Sequence, residues 1–294
     1  MEIFGIPIQA MMGQLLIGLI NGSFYALLSL GLAVIFGLLN IINFAHGAQY
    51  MMGAFGAYLL LNKLGLGYWW ALLIVPIIVG ATGLFIERTM LVRLYKLDHL
   101  YGLLLTFGLA LIIEGLFRNE YGSTGLPYSI PSQLQGGTNL GFMFLPIYRG
   151  WVIIASLVIC LATWFVIERT KLGGYLRAAT ENPQLVQAFG INVPRMITLT
   201  YGFGVALAAL AGVMAAPIYQ VSPQMGENLI IVVFAVVVIG GMGSIMGAIV
   251  TGFGLGLIEG LTKVFYPEAS TTVIFVIMTI VLLIRPAGLF GAQK

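Results

Sequence analysis

Charged side chains are scarce in this sequence: Asp, Glu, Lys and Arg together make up 8% of its 294 residues. A soluble domain carries about 25% charged residues, so this composition excludes a soluble globular protein. Hydrophobic residues account for 60% of the chain. The sequence therefore predicts an all-α integral membrane protein, a polytopic helical bundle with about eight to nine transmembrane segments of roughly 20 residues each.

Cysteine and histidine are equally rare, with Cys160 as the single cysteine and His46 and His99 as the two histidines. These numbers exclude an intramolecular disulfide and argue against cysteine-based or histidine-rich metal clusters. The patterns GxxxxGKS/T and HExxH do not occur, so we expect no ATP site, no bound metal and no enzymatic activity in this chain. The net charge of +3 does not indicate nucleic-acid binding, because the basic residues lie in short links where they set membrane topology.

Apolar runs divide the chain into candidate spans of a single transmembrane domain, residues 1–294. Basic residues concentrate in the links 87–99 and 168–195, and two crossings separate these links, so both are predicted to be cytoplasmic. The N-terminus is then outside and the C-terminus inside. Nine crossings result if 229–243 and 245–262 cross as a pair, seven if this pair is re-entrant, and eight if the first run contains a break. The runs are 11–39, 44–62, 68–87, 100–118, 150–167, 196–216, 229–243, 245–262 and 272–285.

Glycine, present 39 times, occurs in two kinds of segment. The longest external link, 119–149, combines Gly with Pro, Ser and Asn and is predicted to be a loop or a pair of short elements. Other glycines lie inside the apolar run 245–262, where they indicate close helix packing rather than a phosphate-binding loop. These are Gly252, Gly254, Gly256 and Gly260.

Polar residues interrupt the apolar pattern at two places. After the first run, Asn40, Asn43, His46 and Gln49 form a break that contains no Lys or Arg. Irregular backbone at membrane depth is stable only if it is buried in protein or lines a cavity, so one interpretation is a broken helix that lines a solute path. A plain cytoplasmic turn is the alternative. The second break, which ends at Ser244, is either a half-helix junction near the pathway or a tight turn.

Two acidic residues, Glu114 and Glu259, lie within or near the outer ends of predicted spans. Acids inside a membrane segment indicate a function by default, so contact with a solute or partner is one interpretation. An interfacial or interspan hydrogen bond is the other, because each acid is within about two turns of a span end. The residues assigned to the substrate pathway are Asn40, Asn43, His46, Gln49, Ser244 and Glu259.

The polar link 168–195 is predicted to contain a short helix. Asn182 is suited to the N-cap, Pro183 to the first helical position, and Gly190 to a left-handed residue at the end. A helix of about two turns is too short to be stable alone in water. We therefore expect it to dock on another surface.

Leu185, Val186 and Phe189 are predicted to give this short helix one apolar face. A coupling helix that inserts into a groove on a cytoplasmic ATPase is one interpretation. An amphipathic stub that packs on the membrane surface is the other. The residues assigned to ATPase coupling are Glu181, Asn182, Pro183, Leu185, Val186, Phe189 and Gly190.

Three blocks occur in order along nearly the whole chain. They are GLAVIFGLLNIINFAHGAQYMMGAFGAY (31–58), RAATENPQLVQAFGIN (177–192) followed by ALAALAGVMAAPI (206–218), and GGMGSIMGAIVTG (240–252). Together they resemble the permeases of branched-chain amino acid ABC transporters, the LivH type.

This resemblance implies a subunit of an ATP-binding-cassette importer in the bacterial inner membrane, with the segment 178–192 as its cytoplasmic coupling loop. It implies a distinct second permease of the LivM type, two ATPase subunits that bind ATP and Mg²⁺, and an external substrate-binding protein. Membrane lipid and a small solute complete the expected partners, while the chain itself needs no cofactor. The implied cargo is a branched-chain or related small amino acid, or else an amide or urea-like solute, since members of this family also carry such solutes.

Two other functional classes remain as alternatives. An ion- or proton-coupled secondary transporter needs a membrane-embedded acid, for which Glu114 and Glu259 are the candidates, and would transport without any ATPase. A membrane enzyme needs a polar catalytic cluster, and the sequence contains no such cluster.

Overall fold

The computed structural model describes residues 2–3, 6–39, 41–141 and 143–291, and these residues form a bundle of α-helices. Seven of the described helices are long and apolar enough to cross a membrane. The predicted polytopic α-helical bundle is thereby confirmed. The helices are α1 (Ile8–Leu39), α2 (Ala45–Leu64), α3 (Tyr68–Thr89), α4 (His99–Tyr121), α5 (Ile147–Arg169), α6 (Lys171–Glu181), α7 (Pro183–Ala188), α8 (Val193–Ala215), α9 (Glu227–Gly240), α10 (Ile245–Phe265) and α11 (Thr272–Ile284).

Each predicted apolar run coincides with one of these helices. The reason is physical: a chain in lipid must satisfy its backbone hydrogen bonds internally, and a continuous helix does so. The run 245–262 becomes the 21-residue α10, whereas 229–243 becomes α9 with 14 residues. The run 44–62 becomes α2 with 20 residues, and 272–285 becomes α11 with 13 residues.

Helix α1 is the centre of the bundle and the most deeply buried of the seven spans. It packs along α10 through glycines, and a Cβ at Gly256 would lie 2.4 Å from the Gly18 carbonyl oxygen. Gly252 and Gly260 likewise face the α1 backbone, but Gly254 has open space around it. The predicted helix-packing role is confirmed for three of the four glycines, because small residues let two helix backbones approach closely.

The first predicted break is an interrupted helix inside the bundle rather than an exposed turn. Residues 41–43 are not helical and run beside α4, where Thr106 Oγ1 donates to the Ile42 carbonyl at 3.2 Å and accepts from the Phe44 N–H at 3.2 Å. Thr106 lies seven residues into α4, which is about 10 Å at 1.5 Å per residue. Helix α2 therefore begins well inside the bundle.

The second predicted break, 240–244, is a tight turn that connects the end of α9 to the start of α10. The Ser244 N–H donates to the Gly241 carbonyl at 2.9 Å. The C-terminal segment covers the turn, with the Leu289 N–H donating to the Ile239 carbonyl at 2.8 Å. Besides α2, the helix that begins inside the bundle is α9 rather than α10. Gly226, directly before α9, packs against the backbone of Gly47 in α2.

Two short antiparallel strand pairs accompany the helices. At the N-terminus, Glu2–Ile3 (β1) pairs with Ile6–Pro7 (β2). In the predicted external loop, Gly137–Asn139 (β3) pairs with Phe144–Pro146 (β4), in the register Thr138 opposite Leu145. The loop 119–149 therefore contains a pair of short elements, as predicted.

Candidate functional site

The polar residues of the first break form one buried cluster. Asn43, His46 and Gln49 are all 0% exposed. Asn43 Nδ2 donates to Gln49 Oε1 at 3.2 Å, and His46 Nε2 lies 3.0 Å from the Leu28 carbonyl oxygen. Because a carbonyl oxygen can only accept a hydrogen bond, the contact with Leu28 means that Nε2 carries the proton. Asn40, the fourth predicted member, lies outside the described residues.

Part of the hydrogen-bonding capacity of this cluster is unused. Asn43 Oδ1 and His46 Nδ1 have no hydrogen-bond partner in the part of the chain that the structure describes. Leaving such a buried group unpaired typically costs about 1–3 kcal/mol, so buried polar atoms without partners call for an explanation such as function. The predicted role in the substrate pathway stays a prediction, and the geometry offers one acceptor on each of the two side chains.

The six predicted pathway residues do not form a single site. Ser244 caps α10, where its Oγ accepts a hydrogen bond from the Gly247 N–H at 3.1 Å. Glu259 lies on the same helix fifteen residues later, which is about 22 Å at 1.5 Å per residue. Neither residue is hydrogen-bonded to the cluster of the first break.

Glu259 joins two helices through its carboxylate. It is 3% exposed, accepts a hydrogen bond from the Tyr25 hydroxyl of α1 at 2.7 Å, and pairs with Lys263 at 2.6 Å. Glu114 forms the same kind of ion pair with Arg118, one turn later on α4. Glu259 thus makes an interspan hydrogen bond, which was one of its two interpretations, whereas the ion pair of Glu114 lies within α4 and leaves both of its interpretations as predictions.

A third buried acid, Glu87, was missed in the sequence. It lies at the end of α3, is 2% exposed, and accepts a hydrogen bond from the Tyr95 hydroxyl. Burial, and then the neighbouring carboxylate, raise the pKa of Tyr95 above its ordinary value. No sequence signal distinguishes Glu87, because an acid beside Arg88 at a span end is typical of a solvated terminus.

The predicted short helix of the cytoplasmic link is present as α7. Asn182 Oδ1 accepts a hydrogen bond from the Leu185 N–H at 3.0 Å, Pro183 is the first helical residue, and Gly190 has φ +83°. All three local predictions are confirmed. The preceding helix α6, which ends at the exposed Glu181, was not predicted.

The predicted apolar face of α7 was wrong in one respect. Val186 is 7% exposed and packs into the protein, whereas Leu185 is 55% exposed and Phe189 78% exposed. Consecutive helical residues point about 100° apart, so Leu185 and Val186 face different sides. Val186 therefore anchors α7, and Leu185 with Phe189 form the exposed pair.

Helix α6 supports α7 from the other side. Leu176 and Ala179 are buried, and the Arg177 guanidinium is 3.0 Å from the Glu168 carboxylate at the end of α5. A groove of about 1170 Å³ runs beside α7, between the link after α3 and the start of α8. Its basic lining residues are Arg88, Lys96 and Arg195.

Comparison with known proteins gives a consistent result. A family model described as "Branched-chain amino acid transport system / permease component" matches residues 14–283. The high-affinity branched-chain amino acid transport system permease protein LivH of Salmonella typhimurium is 30% identical over 296 residues, 96% of each chain. The corresponding protein BraD of Pseudomonas aeruginosa is 30% identical over 294 residues with the same coverage.

A second type of permease protein is also similar. LivM of Escherichia coli K12 is 29% identical over 299 residues, which cover 92% of this chain and 68% of LivM. No solved structure matches the chain significantly.

Proposed function

Because this chain belongs to the family of branched-chain amino acid transport permeases, we propose that it is a membrane subunit of an ATP-driven importer in the bacterial inner membrane. Its cargo is a branched-chain or related small amino acid. The single observation that carries the proposal is an exposed apolar pair, Leu185 on α7 and Phe189 directly after it, on a helix that the buried Val186 anchors. An apolar pair on a short, anchored helix is suited to insertion into a groove of a partner.

The proposal includes four partners. Two ATPase subunits bind ATP and Mg²⁺ and contact α7 from the cytoplasm, so this chain needs no cofactor of its own. A LivM-type permease forms the other half of the membrane pathway, which the similarity to both LivH and LivM supports. An external substrate-binding protein delivers the solute on the side of the β3–β4 hairpin.

Coupling then has a mechanical explanation. ATP-driven closure of the ATPase pair displaces α7, and the α6 contacts with the end of α5 transmit the movement to the bundle. The membrane pair switches between outward- and inward-facing states as a result. No covalent chemistry takes place in this chain.

Purification from native membranes in mild detergent, followed by mass spectrometry, tests the proposal. We expect two ATPase chains and a second permease to copurify. A lone protein or a homo-oligomer without any ATPase would contradict the proposal. That outcome would favour a secondary transporter, in which Glu259→Gln should abolish a pH-dependent flux.

Gly190→Val tests whether the end of α7 must keep its left-handed turn. Gly190 has φ +83° and no described atom within 4 Å of the position that a Cβ would take, so the substitution acts through backbone strain, which costs about 1–3 kcal/mol. We expect uptake to fall several-fold relative to ATP hydrolysis, with little change in the amount of folded protein. Uptake and hydrolysis are measured together in proteoliposomes.

Gly65→Val is the matched control for this prediction. Gly65 has φ +66° and equally open surroundings, but it ends α2 on the opposite side of the molecule. Its substitution should leave the ratio of uptake to hydrolysis unchanged. Equal ratios in both variants would show that α7 has no special part in coupling.

A further inference from the structure

A cavity of about 370 Å³ opens between α1, α2 and the segment that leads into α9. Asn21 and Tyr25 line it from the middle of α1, Tyr50 from α2, and Asn228 from the first turn of α9. Pockets that hold small molecules are roughly 300–1,000 Å³. Transporters commonly bind their solute midway through the bundle, beside interrupted helices, and both α2 and α9 begin inside this bundle.

Several polar groups of the cavity are available to a ligand. Tyr50 is 1% exposed, and its hydroxyl makes no hydrogen bond to another described residue. Asn21 Oδ1 accepts from the Tyr219 hydroxyl at 3.0 Å, which leaves the amide N–H groups of Asn21 free. Tyr25 is different, because its hydroxyl is already bonded to Glu259 at 2.7 Å.

The rest of the wall is uncharged and mixes apolar residues with the polar Gln220 and Ser222. Phe24, Met225 and Leu229 supply hydrophobic surface, and none of the described residues that line the cavity is an Asp, Glu, Lys or Arg. The nearby Glu259 carboxylate is already paired with Lys263 at 2.6 Å. A solute with a net charge would lose its hydration here without gaining a counter-charge, which is strongly unfavourable.

We infer that this cavity is the place where the imported solute contacts this chain, and that it takes a net-neutral α-amino acid with an apolar side chain. The Tyr50 hydroxyl and the amides of Asn21 and Asn228 bind the polar end, and the apolar wall contacts the side chain. The inference rests on the proposed function and adds to it a selectivity step inside the membrane, after the external binding protein.

Tyr50→Phe tests the inference in the complete transporter reconstituted with its partners, with leucine as the probe. The substitution keeps the ring and removes a hydroxyl that bonds to no described protein group, so folding should be unaffected. Loss of one solute hydrogen bond should reduce leucine uptake at low concentration by about three- to tenfold. ATP hydrolysis stimulated by the binding protein should stay unchanged.

Tyr128→Phe is the control for the hydroxyl. Tyr128 is 8% exposed, its hydroxyl has no partner among the described residues, and it lies in the external loop outside the cavity. Its substitution should leave leucine uptake unchanged. An equal reduction in both variants would overturn the assignment of Tyr50.

Thiol labelling gives a second readout that does not depend on uptake. Cys160 is fully buried, so a labelling reagent should react with the cysteine introduced by Asn228→Cys and not with Cys160. During turnover, leucine should protect Cys at this position from a small maleimide, and lysine should not. Leu140→Cys, in the exposed turn of the external hairpin, should be labelled at the same rate with either amino acid.

The two proposals fail in different ways. A wild-type complex without ATP-driven leucine uptake would contradict the proposed function. Wild-type uptake together with normal Tyr50→Phe uptake and an unprotected Asn228→Cys would overturn only the inference about the cavity.

Discussion

Leu185→Glu should abolish ATP-driven uptake while the protein remains folded in the membrane. Leu185 is 55% exposed on α7, so a charge at this position can reach water and costs little in the free chain. In a docked complex the carboxylate would be buried in an apolar groove. Loss of an anchor of this kind weakens a protein interface by about 2 kcal/mol or more, which is about 30-fold in affinity. Copurification of the ATPase with the variant measures the effect.

Leu140→Glu is the matched control, because Leu140 is 41% exposed in the external loop. It places the same charge on the opposite side of the molecule and should leave the ATPase bound. Val186→Glu gives the complementary result: Val186 is buried, so this variant should lose folded protein as well. Normal ATPase copurification with Leu185→Glu would exclude docking through α7.

Local physics explains why so much of the fold could be predicted from sequence. The nine apolar runs became helices because lipid offers no alternative partner for the backbone. The N-cap Asn182 and the left-handed Gly190 were recognised for a similar reason, since each acts on its own neighbours in the chain. Both signals need only a few consecutive residues.

Contacts between distant segments explain what could not be predicted. Val186 faces inward because of where α6 and α8 lie, and no local pattern contains that information. The start of α9 inside the bundle depends on Gly226 against Gly47, whereas the sequence offered the break 240–244 as either a half-helix junction or a tight turn. Glu87 is buried because Tyr95 folds back over it.

Some residues of the candidate solute site could likewise be predicted from the sequence, and others could not. Asn43, His46 and Gln49 were recognised as polar residues in an apolar setting, and they do form one cluster. Tyr50, one residue after Gln49, has the appearance of an ordinary packing residue within an apolar run. Only the arrangement of α1, α2 and α9 around it opens its hydroxyl to a cavity.

Gly256→Val should remove most of the folded protein. A Cβ at this position would lie 2.4 Å from the Gly18 carbonyl oxygen and 2.4 Å from the Gly22 Cα. Both obstacles are backbone atoms of α1, so no side chain can move aside to relieve the clash. Overpacking typically costs about 1–3 kcal/mol and occasionally more, and the upper end applies because α1 is the centre of the bundle. Thermal unfolding in detergent, followed by size-exclusion chromatography, measures the loss.

Gly254→Val separates the clash from the effect of valine itself. Gly254 lies on the same helix two residues earlier, and no described atom is within 4 Å of the position that a Cβ would take there. Both variants add the same β-branched side chain to α10, so their difference in melting temperature reports only the contact with α1. Equal melting temperatures would mean that α10 can slide away from α1 at no cost. The small residues of this seam would then have to serve the movement of the transporter rather than its stability.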